Sequence, residues 1–262
     1  MNVVSMNRAQ LAARGGLSVL SLQFEVVDDR PDWPVVRVLV NGQDPFAAVA
    51  PGWRGFDPAK ILGLRSPLLP VDQGRRVAVY CCSCREPGCG VIAPVIVPSP
   101  DGRLVSWTDF RDYVGVFVGP VKSVGGDEGT PWDLPDLHFD REQYVAEIER
   151  ASRDGSWETD RRKTARLVYE RLDPLGLNLP PDLHLAWASP AWRGDGVALM
   201  FQRLTRAPRP EVRQQVLLLT STLDAPEQAA EDMAQRLLST SPDAWVDSFG
   251  QHSPGPRRRR AT

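Results

Sequence analysis

Four cysteines crowd into nine consecutive positions, Cys81-Cys82-Ser83-Cys84-Arg85-Glu86-Pro87-Gly88-Cys89. Cys81-x-x-Cys84 has the spacing of a zinc knuckle. Pro87 and Gly88 let the backbone fold back, so that Cys89 can bring a third thiolate to the same Zn²⁺. A closed zinc site takes four ligands. Cys82 would face away from Cys81 in an extended chain and joins the site only where the chain bends. His138 is the alternative fourth ligand, because His184 sits within an apolar strand and His252 in the C-terminal tail. The same residues support two other readings. They can be structural thiols packed as small hydrophobes at a tight turn, or Cys84 or Cys89 can be a redox or nucleophilic thiol beside Arg85. Pro87, Gly88 and Gly90 disfavour the helix N-terminus on which reactive dithiols usually sit.

The turn resembles an uncharacterised group of actinobacterial proteins that carry a CxCGxxGCG-like turn between strands, followed by a Val-x-Trp-like segment. The matching residues are Cys82, Cys84, Glu86, Pro87, Gly88, Cys89, Gly90 and, later, Val105 and Trp107. Arg85 stands where that pattern has glycine. The resemblance covers roughly residues 1–150 and implies no established activity.

Other chemistry is sparse. The sequence has no GxGxxG, GxxxxGK[ST], HExxH or GxSxG, so dinucleotide, flavin, P-loop, metalloprotease and nucleophile-elbow readings lack their defining residues. Of the three histidines, only His138, flanked by Asp136 and Asp140, has the setting of an oriented base. Gly125–Thr130 with Pro131-Trp132-Asp133 reads as a solvated loop or a binding loop. Trp107 and Trp187 lie in apolar strands and belong in the core. Trp53-Arg54 and Trp192-Arg193 lie in glycine-flanked loops and are the candidates for a surface that contacts a protein partner. Arg257–Arg260 can touch phosphates through charge, but no basic face elsewhere supports nucleic-acid binding.

The elements that would position these residues are mostly strands. Leu17–Val27 and Val35–Val40 form a pair, with Asn41-Gly42 as a turn, and Asp57 caps a short helical turn to Leu62. Arg76–Tyr80 leads into the cysteine turn, Val91–Val97 leads out, and Leu104–Trp107 completes a meander. Tyr113–Val121 is expected to be a further strand. Arg141–Ser152, with Asp140 and Gln143 as a capping box, and a helix from Thr159 to Leu172 follow. Pro174–Pro181 reads as a linker. Leu183–Ala188, Val197–Gln202 and Gln214–Thr220 are three more strands before a helix Pro226–Leu238. Asp224 and Glu227 start that helix, and Ala230, Met233, Leu237 and Leu238 form its buried face.

The 262-residue chain is 42% hydrophobic, 24% charged and carries a net charge of −2, the balance of a globular protein without a global field for nucleic acid or anionic membrane. No stretch approaches the roughly 18 apolar residues of a membrane span. Leu17–Phe24 is too short and polar-interrupted for an export signal, so a reducing cytoplasm is expected. The expected fold class is α+β. A mostly antiparallel β domain (1–139) carries the cysteine turn, followed by connecting helices (140–173), a C-terminal βββα domain (174–250) and a disordered basic tail (251–262). The expected function is a binding or accessory protein with the cysteine turn as a zinc clasp. The alternatives are a thiol-dependent enzyme and nucleic-acid contact through the arginine tail.

Overall fold

The computed structural model describes residues 16–27, 30–84, 88–121, 128–172, 183–192, 194–205 and 211–250. Arg85–Pro87, the linker expected at Pro174–Pro181, Arg193 and the arginine tail lie outside the described residues. The fold is α+β with antiparallel sheets, and the chain divides into two compact units, residues 1–157 and 158–262.

The first unit opens with β1 (Leu20–Val26) and β2 (Pro34–Val40), an antiparallel pair in which Leu20, Leu22, Val36 and Val38 alternate into the core. Asn41 and Gly42 follow with φ of 54° and 79°. Two successive left-handed residues are what an Asn-Gly turn supplies. Asp57 caps α1 (Pro58–Ile61) by accepting the Ala59 N–H at 2.9 Å.

An eight-stranded sheet forms the rest of this unit. Its strands are β3 (Arg54–Gly55), β4 (Arg75–Ala78), β5 (Tyr80–Cys81), β6 (Val91–Pro98), β7 (Leu104–Asp112), β8 (Gly119–Pro120), β9 (Thr130–Pro131) and β10 (Leu137–Asp140). The main path runs β10-β7-β6-β4-β8, while β5 bridges β6 and β3, and β9 extends β7. Trp107 is fully buried and donates its indole N–H to the Tyr144 hydroxyl at 2.9 Å, which in turn donates to the Leu68 carbonyl at 2.8 Å. Each buried polar atom in that chain is satisfied.

Tyr144 stands on α2 (Arg141–Arg153), capped by Asp140, which accepts the N–H groups of Glu142 and Gln143. Gln143 does not close the expected capping box. Its side chain instead accepts from Leu20 N–H and donates to Leu20 O, stitching α2 to the edge of β1.

Two departures in this unit bear on the site. Tyr113–Val121 is not a strand except at Gly119–Pro120, because Gly115 takes φ of 81° and turns the chain out of the extended region before β8 pairs with β4. β6 and β7 carry a bulge opposite Pro94. The register shifts between Ala93 and Val95, and Asp109 takes φ of 46°. Pro94 has no N–H for the ladder. The Arg76 guanidinium fills the gap by donating to the carbonyls of Ala93 and Asp109.

The second unit begins with α3 (Asp160–Leu172), where Thr159 Oγ1 accepts the Arg162 N–H. The two helices read from sequence as connectors therefore divide between the units. A three-stranded antiparallel sheet, β11 (Leu183–Pro190), β12 (Val197–Thr205) and β13 (Glu211–Leu219), precedes α4 (Pro226–Ser239), a 3₁₀ turn at Pro242–Ala244 and α5 (Trp245–Phe249). Leu199, Phe201, Leu217, Val168, Met233 and Trp245 lie in its core.

Three sequence expectations fail in the second unit. Ala225, not Asp224, occupies the α4 N-cap, with no side-chain hydrogen bond. Leu238 is exposed, and Ala229 and Ala234 are buried instead. Trp187 is 37% exposed rather than core, because a bulge between Leu185 and Trp187 shifts the alternation of β11 by one residue.

Candidate metal centre

The cysteine turn hangs between two paired strands. Cys81 ends β5, opposite Val91 of β6 on one side and Arg54 of β3 on the other, and its side chain packs against the core. Burial pushes its thiol up to about 11. At Cys82 the chain leaves the sheet, and the turn is closed by the Cys82 N–H donating to the Gly90 carbonyl at 3.1 Å. That bend frees the Cys82 side chain to face Cys84, with the two Sγ atoms 2.8 Å apart. Cys89 returns to them. The Sγ atoms of Cys82, Cys84 and Cys89 all lie within 4.8 Å of one another, and these three cysteines are positioned to hold a metal ion.

Neighbouring residues fix this geometry. Gly88 has φ of 76° and its carbonyl accepts the Gly115 N–H at 2.7 Å, so the segment after Tyr113 is tied to the turn. Asp112 Oδ1 accepts the Val91 N–H at 2.9 Å, anchoring the exit of the turn. A side chain at Gly90 would meet that carboxylate and the Trp53 ring, each at 3.1 Å. Cys84 and Cys89 are exposed and Cys82 half-buried. The sulfurs of Cys84 and Cys82, hydrogen-bonded to Cys89 and adding their own charge, push the Cys89 thiol up to about 12.

The ligand set differs by one residue from the knuckle spacing. Cys82, adjacent to Cys81, takes the inward place because the strand ends at Cys81 and the bend falls one position later. His138 is not gathered. It lies in β10 opposite Ser106, which itself pairs with Val97, six residues along β6 from Val91. At about 3.3 Å per strand residue that is roughly 20 Å. Its Nδ1 shares a 2.8 Å hydrogen bond with Ser106 Oγ, and burial lowers its basicity against the opposing pull of Asp136.

The partner-surface candidates are also redistributed. Trp53 is half-buried against the core, edge-on to Trp132 at 5.3 Å, and Arg54 is held in β3. Trp192, 57% exposed, belongs to the second unit. The exposed apolar side chains beside the turn are Val114 and Phe117, at 74% and 63% exposure. Sequence reading assigned both to a strand. The signal that could have found them is Gly115 and Gly119, glycines in an otherwise apolar run. Asp112 was missed because its role depends on a contact 21 residues away.

A cleft of about 280 Å³ on the first unit is lined by Glu25, Arg37, Asp44, Trp53 and Tyr80 among others. Its charges already face one another, with Arg37 3.8 Å from Glu25 and 3.9 Å from Asp44. The Tyr80 hydroxyl donates to Asp44, and burial raises its pKa. Among the described residues, no helix is long and apolar enough to cross a membrane. No family model matches the chain, and comparison with curated proteins and with solved structures gives no match either.

Proposed function

We propose that this chain is a zinc-binding accessory protein in which Cys82, Cys84 and Cys89 clasp one Zn²⁺ at the apex of a strand-to-strand turn. The carrying observation is the convergence of three sulfurs within 4.8 Å on a turn anchored from both sides. Thiolates are established zinc ligands, and three of them leave the ion with a net negative charge. The charge donated by three thiolates makes such an ion a weaker Lewis acid than one held by neutral imidazoles. The clasp reading is thus preferred to hydrolytic catalysis, and the protein's role is binding, with Val114 and Phe117 beside the clasp and Trp192 on the second unit as the apolar contact points for a protein partner.

The test is zinc per chain by elemental analysis of protein purified under reducing conditions, before and after chelation. One equivalent is expected, lost in Cys82→Ser, Cys84→Ser and Cys89→Ser and kept in Cys81→Ser, whose thiol belongs to the sheet. No zinc in the parent, or equal loss in Cys81→Ser, overturns the reading. The exposure of Cys84 and Cys89 favours one competitor, a thiol-dependent enzyme. It would show as fast alkylation of a single cysteine in metal-free folded protein.

A further inference from the structure

We infer that the same three thiols bind the monovalent cuprous ion in preference to zinc, so that the turn is a point of copper exchange rather than a permanent staple; this rests on the metal-centre reading above. Among the described residues the gathered donors are all sulfur. The Asp112 carboxylate accepts the Val91 N–H, and His138 is hydrogen-bonded to Ser106 in β10, opposite the far end of β6 from the turn. Soft thiolate donors favour Cu(I) as well as Zn²⁺, and selectivity between metals is set by ligand type and geometry.

A trigonal ion with metal–sulfur bonds of about 2.3 Å needs its sulfurs about 4 Å apart. The cluster, with every Sγ within 4.8 Å of the others and Cys82 and Cys84 at 2.8 Å, reaches that triangle by rotating side chains on an exposed turn. Three thiolates saturate a trigonal cuprous ion, whereas zinc takes a fourth ligand. Exposure decides between staple and exchange. Cys84 and Cys89 are open to solvent, so an incoming thiol can reach the ion and replace protein sulfurs one at a time without unfolding the strands. No electron changes hands in this exchange. The cuprous ion moves from one set of thiolates to another, and the proton released by the incoming thiol passes to the departing one.

The experiment uses the full chain, zinc-loaded and anaerobic, titrated with cuprous ion delivered as its acetonitrile complex, with bathocuproine disulfonate as competitor. One equivalent of Cu(I) is expected to release one equivalent of zinc, and the X-ray absorption of the copper form to show three sulfur neighbours. Cys84→Ser and Cys89→Ser should lose at least tenfold in Cu(I) affinity, and Cys81→Ser none. Zinc retained against one equivalent of Cu(I), a multi-copper cluster, or recruitment of Cys81 overturns the inference while leaving the zinc reading intact. Failure of the chain to bind either metal overturns both.

Discussion

Asp112 shows how a residue with no ligand role can govern the site. Its carboxylate receives the Val91 N–H and stands against Gly90, so it sets where the chain re-enters the sheet after Cys89. Groups that orient a ligand segment typically contribute 10–100-fold to metal affinity. Asp112→Ala is therefore expected to weaken zinc binding about tenfold while keeping the stoichiometry at one, read by competition with a chromophoric chelator. Unchanged affinity would assign the carboxylate to the sheet alone. Gly55 makes a contrasting point. A Cβ there would sit 1.6 Å from the Val36 carbonyl oxygen, so Gly55→Ala must move backbone between β2 and β3, with a loss of several kcal/mol visible in denaturant unfolding. The cysteine cluster itself was legible in sequence, because four cysteines within nine positions stand out under any reading of their role. Which three converge was not, because that depends on β5 ending at Cys81 instead of one residue later.

Among the elements, strand and helix positions were readable wherever one face is buried, as in β1, β2 and α2, because alternation and helical spacing then record the core directly. Reading failed where local chemistry overrides periodicity. A bulge displaced Trp187, and the left-handed Gly115 broke the expected strand ahead of Phe117. The β6–β7 bulge offers a test of such local chemistry. Asp109, in a left-handed conformation, accepts from Arg76 and Arg111; burial works to raise its pKa but is outweighed by those bonds, so the group titrates below its usual 3.8. A carboxyl held below its unfolded value stabilises the fold above that value and loses the contribution as pH falls through the folded one. Asp109→Asn should lower stability at neutral pH by about 1 kcal/mol or less, given how exposed the carboxylate is. The gap from the parent should begin to close below about pH 4, where the unfolded chain's carboxyl starts to take up its proton, and vanish as pH falls through the lowered folded value. A pH-independent gap would mean that the conformational strain, not the charge, carries the effect.

The two units each close their own core. Trp107, Tyr144 and Phe139 belong to one, and Phe201, Trp245 and Leu217 to the other, which is why composition and length alone pointed to two domains while the boundary at residue 157 did not stand out. The helices α2 and α3 look alike in sequence, and only their buried faces, Tyr144 and Ile148 in one case and Val168 and Leu172 in the other, reveal their separate allegiances. Metal removal should respect this division. Zinc bound to the native turn would stabilise whatever cooperative unit contains it, because the unfolded chain lacks the converged site. The turn is tied by hydrogen bonds to β6, to the Asp112 end of β7 and to the Gly115 segment, all in the first unit. Chelation is therefore expected to speed amide exchange at residues 80–92 and 110–120, and to leave β12, β13 and α4 at their parent rates, as read by hydrogen–deuterium exchange with mass spectrometry. Protection lost equally in both units would make the chain a single cooperative body, with the metal coupled to all of it rather than to one sheet.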